Sequence, residues 1–167
     1  MRKYTRFALI VAPMILLAGC TTDGGVNPMI DQNSNSSSSL PDVSGDKGAK
    51  PTISAPVGSP PSTLQKSDIF IGNGKEAIET SILEVHYTLM AWSSGVLVES
   101  SWDSGQTATF PLNGVIAGWQ QGIPGMKEGG RRLLVIPPDL GYGSQGAGGA
   151  IGPNETLIFV VDLVTVS

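Results

Sequence analysis

The feature that most restricts the fold is a segment at residues 82–89 in which apolar and polar side chains alternate. Every second residue from Leu83 onwards is apolar or aromatic, and the residues between them are polar. A period of two is typical of a strand with one buried face. Further strands are predicted at 131–136 and 156–166, and shorter ones at 69–71, 95–99 and 108–112. Because loops rather than long helices separate these segments, we expect a mainly antiparallel sheet.

One helix is predicted, at residues 115–121, and the Gly and Pro residues that follow would end it. Val115, Ile116 and Trp119 fall on one side of this helix. Two helical turns are only marginally stable in water, so the apolar side must dock on the sheet. On these residues alone, Trp119 is either a core residue or the floor of a binding pocket, and the core role is the simpler interpretation.

The amino terminus has the pattern of an export signal. Three basic residues within the first six precede an apolar run at 7–17, which is too short to span a bilayer comfortably. The sequence Leu-Ala-Gly-Cys at 17–20 resembles the lipobox of bacterial lipoproteins. That resemblance implies cleavage of a signal peptide at 1–19 and acylation of Cys20, the only cysteine. An ordinary secretory signal with an incidental cysteine is the alternative. We therefore expect a protein of the bacterial cell envelope, lipid-anchored on the extracytoplasmic side of a membrane.

The composition changes after Cys20. Residues 20–63 are rich in Ser, Pro, Gly, Asn and Thr and contain no aromatic residue. Such a segment cannot bury enough apolar surface to offset the entropy lost on ordering. We therefore predict a signal peptide (1–19), a lipidated cysteine with a flexible linker (20–63) and one folded domain (64–167).

The composition excludes several kinds of site. With one His and one Cys, the chain has neither a multi-histidine metal site nor a CxxC motif, and no phosphate-binding loop joins a strand to a helix. The ten Lys and Arg residues form no basic patch for nucleic acid. An enzyme with this sequence would work without a nucleophile, a metal or a cofactor.

Two polar features of the predicted strands are interpreted without a functional role. His86 has no Ser or Asp partner that is apparent in the sequence, so we interpret it as a structural histidine rather than a catalytic base. Arg131 and Arg132 lie ahead of two leucines, and we interpret the pair as a solvated strand edge rather than a contact for acidic partners.

A series of short motifs follows in order through the predicted domain: VHYT (85–88), ESS (99–101), FPL (110–112), VIAGW (115–119), GRRLLVIPP (130–138), LGYG (140–143) and TLIF (156–159). In order and spacing they resemble the FK506-binding type of peptidyl-prolyl cis-trans isomerase, from about residue 64 to the end. The resemblance implies an α+β fold in which an antiparallel sheet of five to six strands curls around one short helix. It also implies an enzyme, expected to be monomeric, that accelerates Xaa-Pro isomerisation during the folding of exported proteins, without covalent catalysis.

The resemblance implies that Trp119 is the floor of an apolar pocket for the proline ring. The catalytic positions of the family correspond to Tyr87, Glu99, Ile116, Trp119, Tyr142 and Phe159. The positions that contact substrate correspond to Val98, Phe110, Val115, Ala150 and Ile151. In the family, the amide at the Ile116 position and the hydroxyl at the Tyr142 position meet the substrate carbonyls. The expected partners are proline-containing segments of exported proteins, FK506-like macrolides and a membrane that is reached through the lipid anchor.

Five positions depart from the family's pattern. Val98 replaces an aromatic residue of the pocket wall, Glu99 replaces a shorter Asp, and Ser104 replaces the Arg that commonly pairs with that acid. Ala150 and Gly152 stand where a larger aliphatic residue and a proline are usual. We expect proline binding to survive, and isomerase activity and affinity for FK506-like macrolides to be reduced.

Two other functions remain open at this point. A proline-segment-binding chaperone or interaction module with weakened turnover could use the same fold. A surface adhesin or structural lipoprotein is the other, and no positive feature of the sequence supports it.

Overall fold

The computed structural model describes residues 39–167, so the predicted signal peptide and Cys20 lie outside the described residues. The described residues form a six-stranded antiparallel sheet and one short α-helix, which confirms the predicted fold class. The sheet consists of β3 (Gln65–Phe70), β4 (Ile82–Ala91), β5 (Leu97–Ser100), β6 (Ala108–Pro111), β7 (Arg131–Ile136) and β8 (Leu157–Val166). The helix α1 is Ala117–Gly122, and a separate hairpin pairs β1 (Val43–Ser44) with β2 (Thr52–Ile53).

The central pair of strands fixes the geometry of the sheet. The strand order is β3-β7-β8-β4-β5, and β6 pairs with the first half of β4. Strands β4 and β8 have ten residues each and pair antiparallel along almost their whole length. Their register places Leu89 opposite Phe159. The two strands therefore bring distant parts of the sequence together at one end of the sheet.

Different elements cover the two faces of the sheet. On one face, α1 packs over a cluster that includes Leu134, Ile136 and Phe159. On the other face, Leu133 and Val135 belong to a second cluster. Because successive side chains of a strand point to opposite faces, this double coverage explains why all six residues of β7 are buried.

The structure corrects the predicted linker. Residues 39–63 do not form a flexible tether: β1 and β2 pair, and Ile53 is 7% exposed in the second apolar cluster, together with Trp92. The average composition of 20–63 concealed this, because a few apolar side chains within a polar segment are enough to pack against a complementary sheet face. The folded domain therefore includes at least residues 39–63 in addition to 64–167.

The helix lies unusually close to β7. It begins at Ala117, two residues later than predicted, because Ile116 has extended dihedral angles (φ −57°, ψ 150°). A Cβ atom added to Gly118 would lie 2.4 Å from Cγ2 of Ile136, and one added to Gly122 would lie 2.7 Å from Cδ2 of Leu134. The backbone of α1 therefore packs directly on side chains of β7. This contact fixes how deeply Trp119, which lies between the two glycines in the sequence, is buried.

The structure also corrects the interpretation of the arginine pair, which is not a solvated edge. Arg131 is 0% exposed and Arg132 6%. Nε of Arg131 donates to Oδ1 of Asp162 (2.8 Å), and its terminal nitrogens donate to the carbonyls of Gly45 (3.3 Å) and Ala49 (2.5 Å). Arg131 therefore ties the β1–β2 hairpin to the sheet. The acceptors lie more than thirty positions away in the chain, so a local pattern could not identify them.

Arg132 ties the helix to the edge strand. Its guanidinium group contacts both carboxylate oxygens of Asp68 in β3, at 2.6 and 3.0 Å. It also donates to the carbonyl of Gly122, at 2.7 Å. A cation at a helix carboxyl terminus is favourable because the last carbonyls have no helical partner. Arg132 therefore helps to hold the helix that carries Trp119.

Candidate functional site

A cavity of about 380 Å³ opens at the end of the sheet where β4, β5, β6 and β8 meet the start of α1. Its lining is mostly aromatic and aliphatic: Tyr87, Leu89, Glu99, Phe110, Gly114, Val115, Ile116, Trp119, Tyr142 and Phe159. None of these residues is basic, and Glu99 is the only acidic one. The cavity is therefore suited to an apolar group of modest size.

Trp119 forms the base of this cavity. The residue is 4% exposed, and its indole packs edge-on against three other rings of the lining. The ring centroids lie 6.0 Å from Tyr87, 6.0 Å from Phe110 and 5.4 Å from Phe159, with interplanar angles of 80–86°. Edge-to-face pairs are the favoured arrangement of aromatic rings. The indole is thus held in a fixed orientation below an opening that it also lines.

Two hydrogen-bond donors of the wall have no partner within the described residues. The amide of Ile116 makes no hydrogen bond there, because α1 starts at the next residue, and the Ile116 carbonyl accepts from Trp119 at 3.0 Å. The hydroxyl of Tyr142 likewise has no partner in the described part of the chain, and Tyr142 is 39% exposed. Both groups are therefore free to bind a carbonyl oxygen in the cavity.

A β-bulge directs Glu99 towards the cavity. In the pairing of β4 with β5, Leu89 lies opposite Glu99 and Met90 opposite Leu97, so that Val98 is the extra residue. Val98 is half-buried and packs on the same cluster as Trp119, while Glu99 lines the cavity. The alternation of 95–99 alone gives no sign of this bulge.

Glu99 and Tyr87 form a polar pair in the wall. The Tyr87 hydroxyl donates to Oε1 of Glu99 at 2.6 Å. Burial raises the pKa of Tyr87 well above its usual range, and the hydrogen bond to Glu99 and its negative charge add to this rise. Tyr87 therefore remains a neutral donor at physiological pH. Ser104, which stands at the usual Arg position, donates instead to the carbonyl of Ser101 at 2.9 Å.

The structure brings together most of the residues predicted for the site. All six predicted catalytic positions line the cavity, as do Phe110 and Val115. Val98, Ala150 and Ile151 are not among the lining residues; Ile151 is buried in the same cluster as Trp119, with 9% exposure, and Ala150 is exposed in the β7–β8 loop.

Two lining residues, Leu89 and Gly114, were absent from the prediction. The alternation of β4 could have identified Leu89, since it follows Tyr87 by two positions. Gly114 has no side chain, so a pattern of apolar and polar side chains could not identify it.

His86 does not line the cavity. Its ring stacks on Trp102, with the centroids 3.9 Å apart, and Nδ1 lies 3.0 Å from Oγ of Ser101. No local sequence pattern indicates the Ser101 contact, which forms because β5 pairs with β4. These contacts agree with a structural role.

Within residues 39–167, no helix has the length and apolar character needed to cross a membrane.

Comparison with known proteins places this geometry in a family. Residues 74–164 match the family described as FKBP-type peptidyl-prolyl cis-trans isomerase. The chain is 52% identical over 116 residues to a probable FK506-binding protein of Corynebacterium glutamicum, which covers 70% of this chain and 98% of that protein. An FK506-binding protein of Streptomyces anulatus is 48% identical over 120 residues, with coverage of 70% and 97%.

Comparison with solved structures leads to the same class of proteins. The crystal structure of a peptidyl-prolyl cis-trans isomerase from Pseudomonas syringae superposes with a TM-score of 0.57 at 32% identity, and the match covers 62% of this chain and 75% of that one. The sequence motifs had predicted this family, and the comparisons confirm it. The chain therefore belongs to the FKBP-type peptidyl-prolyl cis-trans isomerases and is an enzyme of that class.

Proposed function

We propose that the cavity above Trp119 binds the ring of a substrate proline and that the preceding peptide bond rotates there. The observation that carries this proposal is the indole at the base, held by three rings, below two donors that have no partner among residues 39–167. The catalytic roles assigned to Tyr87, Glu99, Ile116, Trp119, Tyr142 and Phe159 are part of the proposal. Proline-containing segments are the substrates, and the protein acts as a monomer.

Rotation of an Xaa–Pro bond needs no covalent chemistry. The barrier of about 20 kcal/mol comes from amide resonance, which is lost when the bond is twisted. The planar ground state is more polar than the twisted state, so an apolar cavity that excludes water destabilises the ground state relative to the twisted one. The Ile116 amide and the Tyr142 hydroxyl hold the flanking carbonyls, which fixes the substrate in the geometry of the twisted bond. No general base is required.

We also propose that turnover and affinity for FK506-like macrolides are reduced. Val98 contributes no ring to the cavity wall, and Ser104 provides no cation for Glu99. Compared with the family's usual residues at these positions, the cavity wall has less apolar area and contains an acid without a counter-charge. These departures also support a second candidate function, a chaperone or interaction module that binds proline segments with little turnover.

Magnetic resonance with isotope-labelled protein and a peptide of sequence Ala-Leu-Pro-Phe tests the site and the activity together. We expect the amide of Ile116 and the indole signal of Trp119 to shift, because both groups line the cavity. The indole signal of Trp92, which lies on the opposite face of the sheet, is the internal control and should not move. Exchange between the cis and trans peptide signals should accelerate.

The outcomes separate the candidates. Accelerated exchange with shifts confined to another surface would overturn the cavity as the active site. Shifts at Ile116 and Trp119 with no acceleration would favour the binding module over the isomerase.

We propose further that the protein is an exported lipoprotein that assists proline-limited folding outside the cytoplasm. Uncatalysed isomerisation takes tens to hundreds of seconds, which is slow enough to limit folding. The support is the lipobox-like sequence that ends at Cys20. Attachment through Cys20 places the enzyme in the cell envelope, on the extracytoplasmic side of a bacterial membrane.

Replacement of Cys20 by alanine tests the anchor. In a bacterium that processes lipoproteins, the wild type should incorporate labelled palmitate and partition with membranes. Cys20→Ala should lose the label, because no other cysteine can be acylated. Isomerase activity of the purified variant serves as the control for folding. Palmitate labelling that persists in Cys20→Ala would contradict the proposal.

A further inference from the structure

We propose that Glu99 makes this enzyme selective for prolines that are flanked by lysine or arginine. The inference rests on the proposed function of the cavity and names its preferred substrate class. It starts from a carboxylate that has no ion-pair partner among the described residues. Glu99 lies in the cavity wall and is exposed, and within residues 39–167 its carboxylate accepts one hydrogen bond, from the Tyr87 hydroxyl.

The cations of the described residues are engaged elsewhere or lie outside the cavity. Four ion pairs occur in residues 39–167: Lys50–Asp103, Lys127–Glu76, Arg131–Asp162 and Arg132–Asp68. Glu99 takes part in none of them, and no Lys, Arg or His lines the cavity. Asp103, four positions further along the chain, already has Lys50 as its partner. The cavity therefore presents one unneutralised negative charge to a substrate.

The position of Glu99 suits the residue next to the proline. Trp119, at 4% exposure, lies at the base, and the exposed Glu99 lies at the opening. A prolyl ring on the indole leaves the adjoining residues at the rim, where a lysine or arginine side chain can reach the carboxylate. An ion pair beside an apolar wall is screened less than a fully exposed one. The hydrogen bond from Tyr87 also orients the carboxylate, so less entropy is lost when the pair forms.

Matched peptides measure this preference. One series places lysine or acetyl-lysine before the proline, and a second series places them after it, so that only the charge differs within each pair. We expect kcat/KM of the wild type to be about fivefold higher for lysine in at least one series, which corresponds to about 1 kcal/mol. Since salt screens exposed charges, the ratio should fall towards one at about 0.5 M sodium chloride.

Variants assign the preference to the carboxylate. Glu99→Gln keeps an acceptor for Tyr87 and should bring the lysine to acetyl-lysine ratio close to one. Glu99→Asp should retain a ratio above one, and Glu99→Lys should invert it. Asp103→Asn is the matched control, because this acid is paired with Lys50 and does not line the cavity, and it should keep the wild-type ratio.

Two results would overturn the inference: a wild-type ratio of one in both series, or an unchanged ratio in Glu99→Gln. The salt dependence of the wild type decides the question even if a Glu99 variant turns over too slowly. Failure of the cavity as the active site is a separate result, because it appears as full activity in a Trp119 variant and not as a change in the ratio.

Discussion

Trp119→Ala is expected to lower kcat/KM for Xaa-Pro peptides by about 100-fold per folded molecule, which corresponds to about 2.7 kcal/mol of lost transition-state stabilisation. The indole is the base of the cavity, and the rings of Tyr87, Phe110 and Phe159 pack against it. Without it, these rings lose their common neighbour and water enters below the proline. The free energy of unfolding should also fall, by about 3–5 kcal/mol, as is usual when a buried tryptophan is truncated.

Trp92→Ala separates the two effects. Trp92 is 7% exposed and belongs to the cluster on the other face of the sheet. This variant should lose stability to a similar extent, yet retain activity per folded molecule within about twofold, the size expected for a residue without contact to the site. Urea unfolding gives the folded fraction and a peptide isomerisation assay gives the rate. Equal losses of activity per folded molecule in the two variants would show that the effect is not specific to the floor of the cavity.

The second large effect is expected from Arg131→Met, which should lower the free energy of unfolding by about 3–5 kcal/mol. The substitution leaves the carboxylate of Asp162 buried without its cation, and it removes the donor for the carbonyls of Gly45 and Ala49. Lys127→Met is the matched control. Lys127 belongs to an exposed ion pair with 4.0 Å between Nζ and the Glu76 carboxylate, so the change should stay within about 0.5 kcal/mol.

The loss in Arg131→Met should depend on pH with a definite sign. Burial raises the pKa of Asp162, and Arg131 opposes this rise. In the variant the pKa of Asp162 rises further, so the folded protein holds a proton that the unfolded chain releases above about pH 4. The stability of the variant therefore decreases as pH rises from about 4 towards 7, relative to the wild type.

The double variant Arg131→Met/Asp162→Leu provides the decisive comparison. It removes the buried charge altogether and should recover at least half of the loss at neutral pH. Urea unfolding at the two pH values, for the single and double variants, measures both effects. If the single variant were equally destabilised at about pH 4 and pH 7, the charge of Asp162 would not be the cause.

Parts of the fold and of the site could be predicted because their signals are local. The alternation at 82–89 predicted β4, since one face of that strand packs on the helix side. The glycines and prolines after residue 121 correctly predicted a short helix. The role of Trp119 needed more than local signals, because a buried indole in a core and an indole below a cavity have the same sequence pattern.

What the sequence could not predict depends on contacts between distant positions. Arg131 is buried because its acceptors come from β8 and from the β1–β2 hairpin. Glu99 faces the cavity because of a bulge, and a bulge arises from a mismatch in pairing between two strands. Ile151 packs in the cluster of Trp119 and is bridged to Ala147, a pairing that a local pattern does not indicate.

The hairpin on the far face of the sheet decides where a workable fragment of this protein must begin. Family resemblance alone would suggest a cut near residue 64 or 74. Such a fragment would expose the apolar face of β7 and β8 that includes Leu133, Val135 and Ile158. It would also remove two carbonyl acceptors of the buried Arg131 guanidinium. Exposed apolar surface of that kind promotes self-association. The smallest autonomous unit therefore retains the residues from about 39 onwards, although the family match begins only at residue 74.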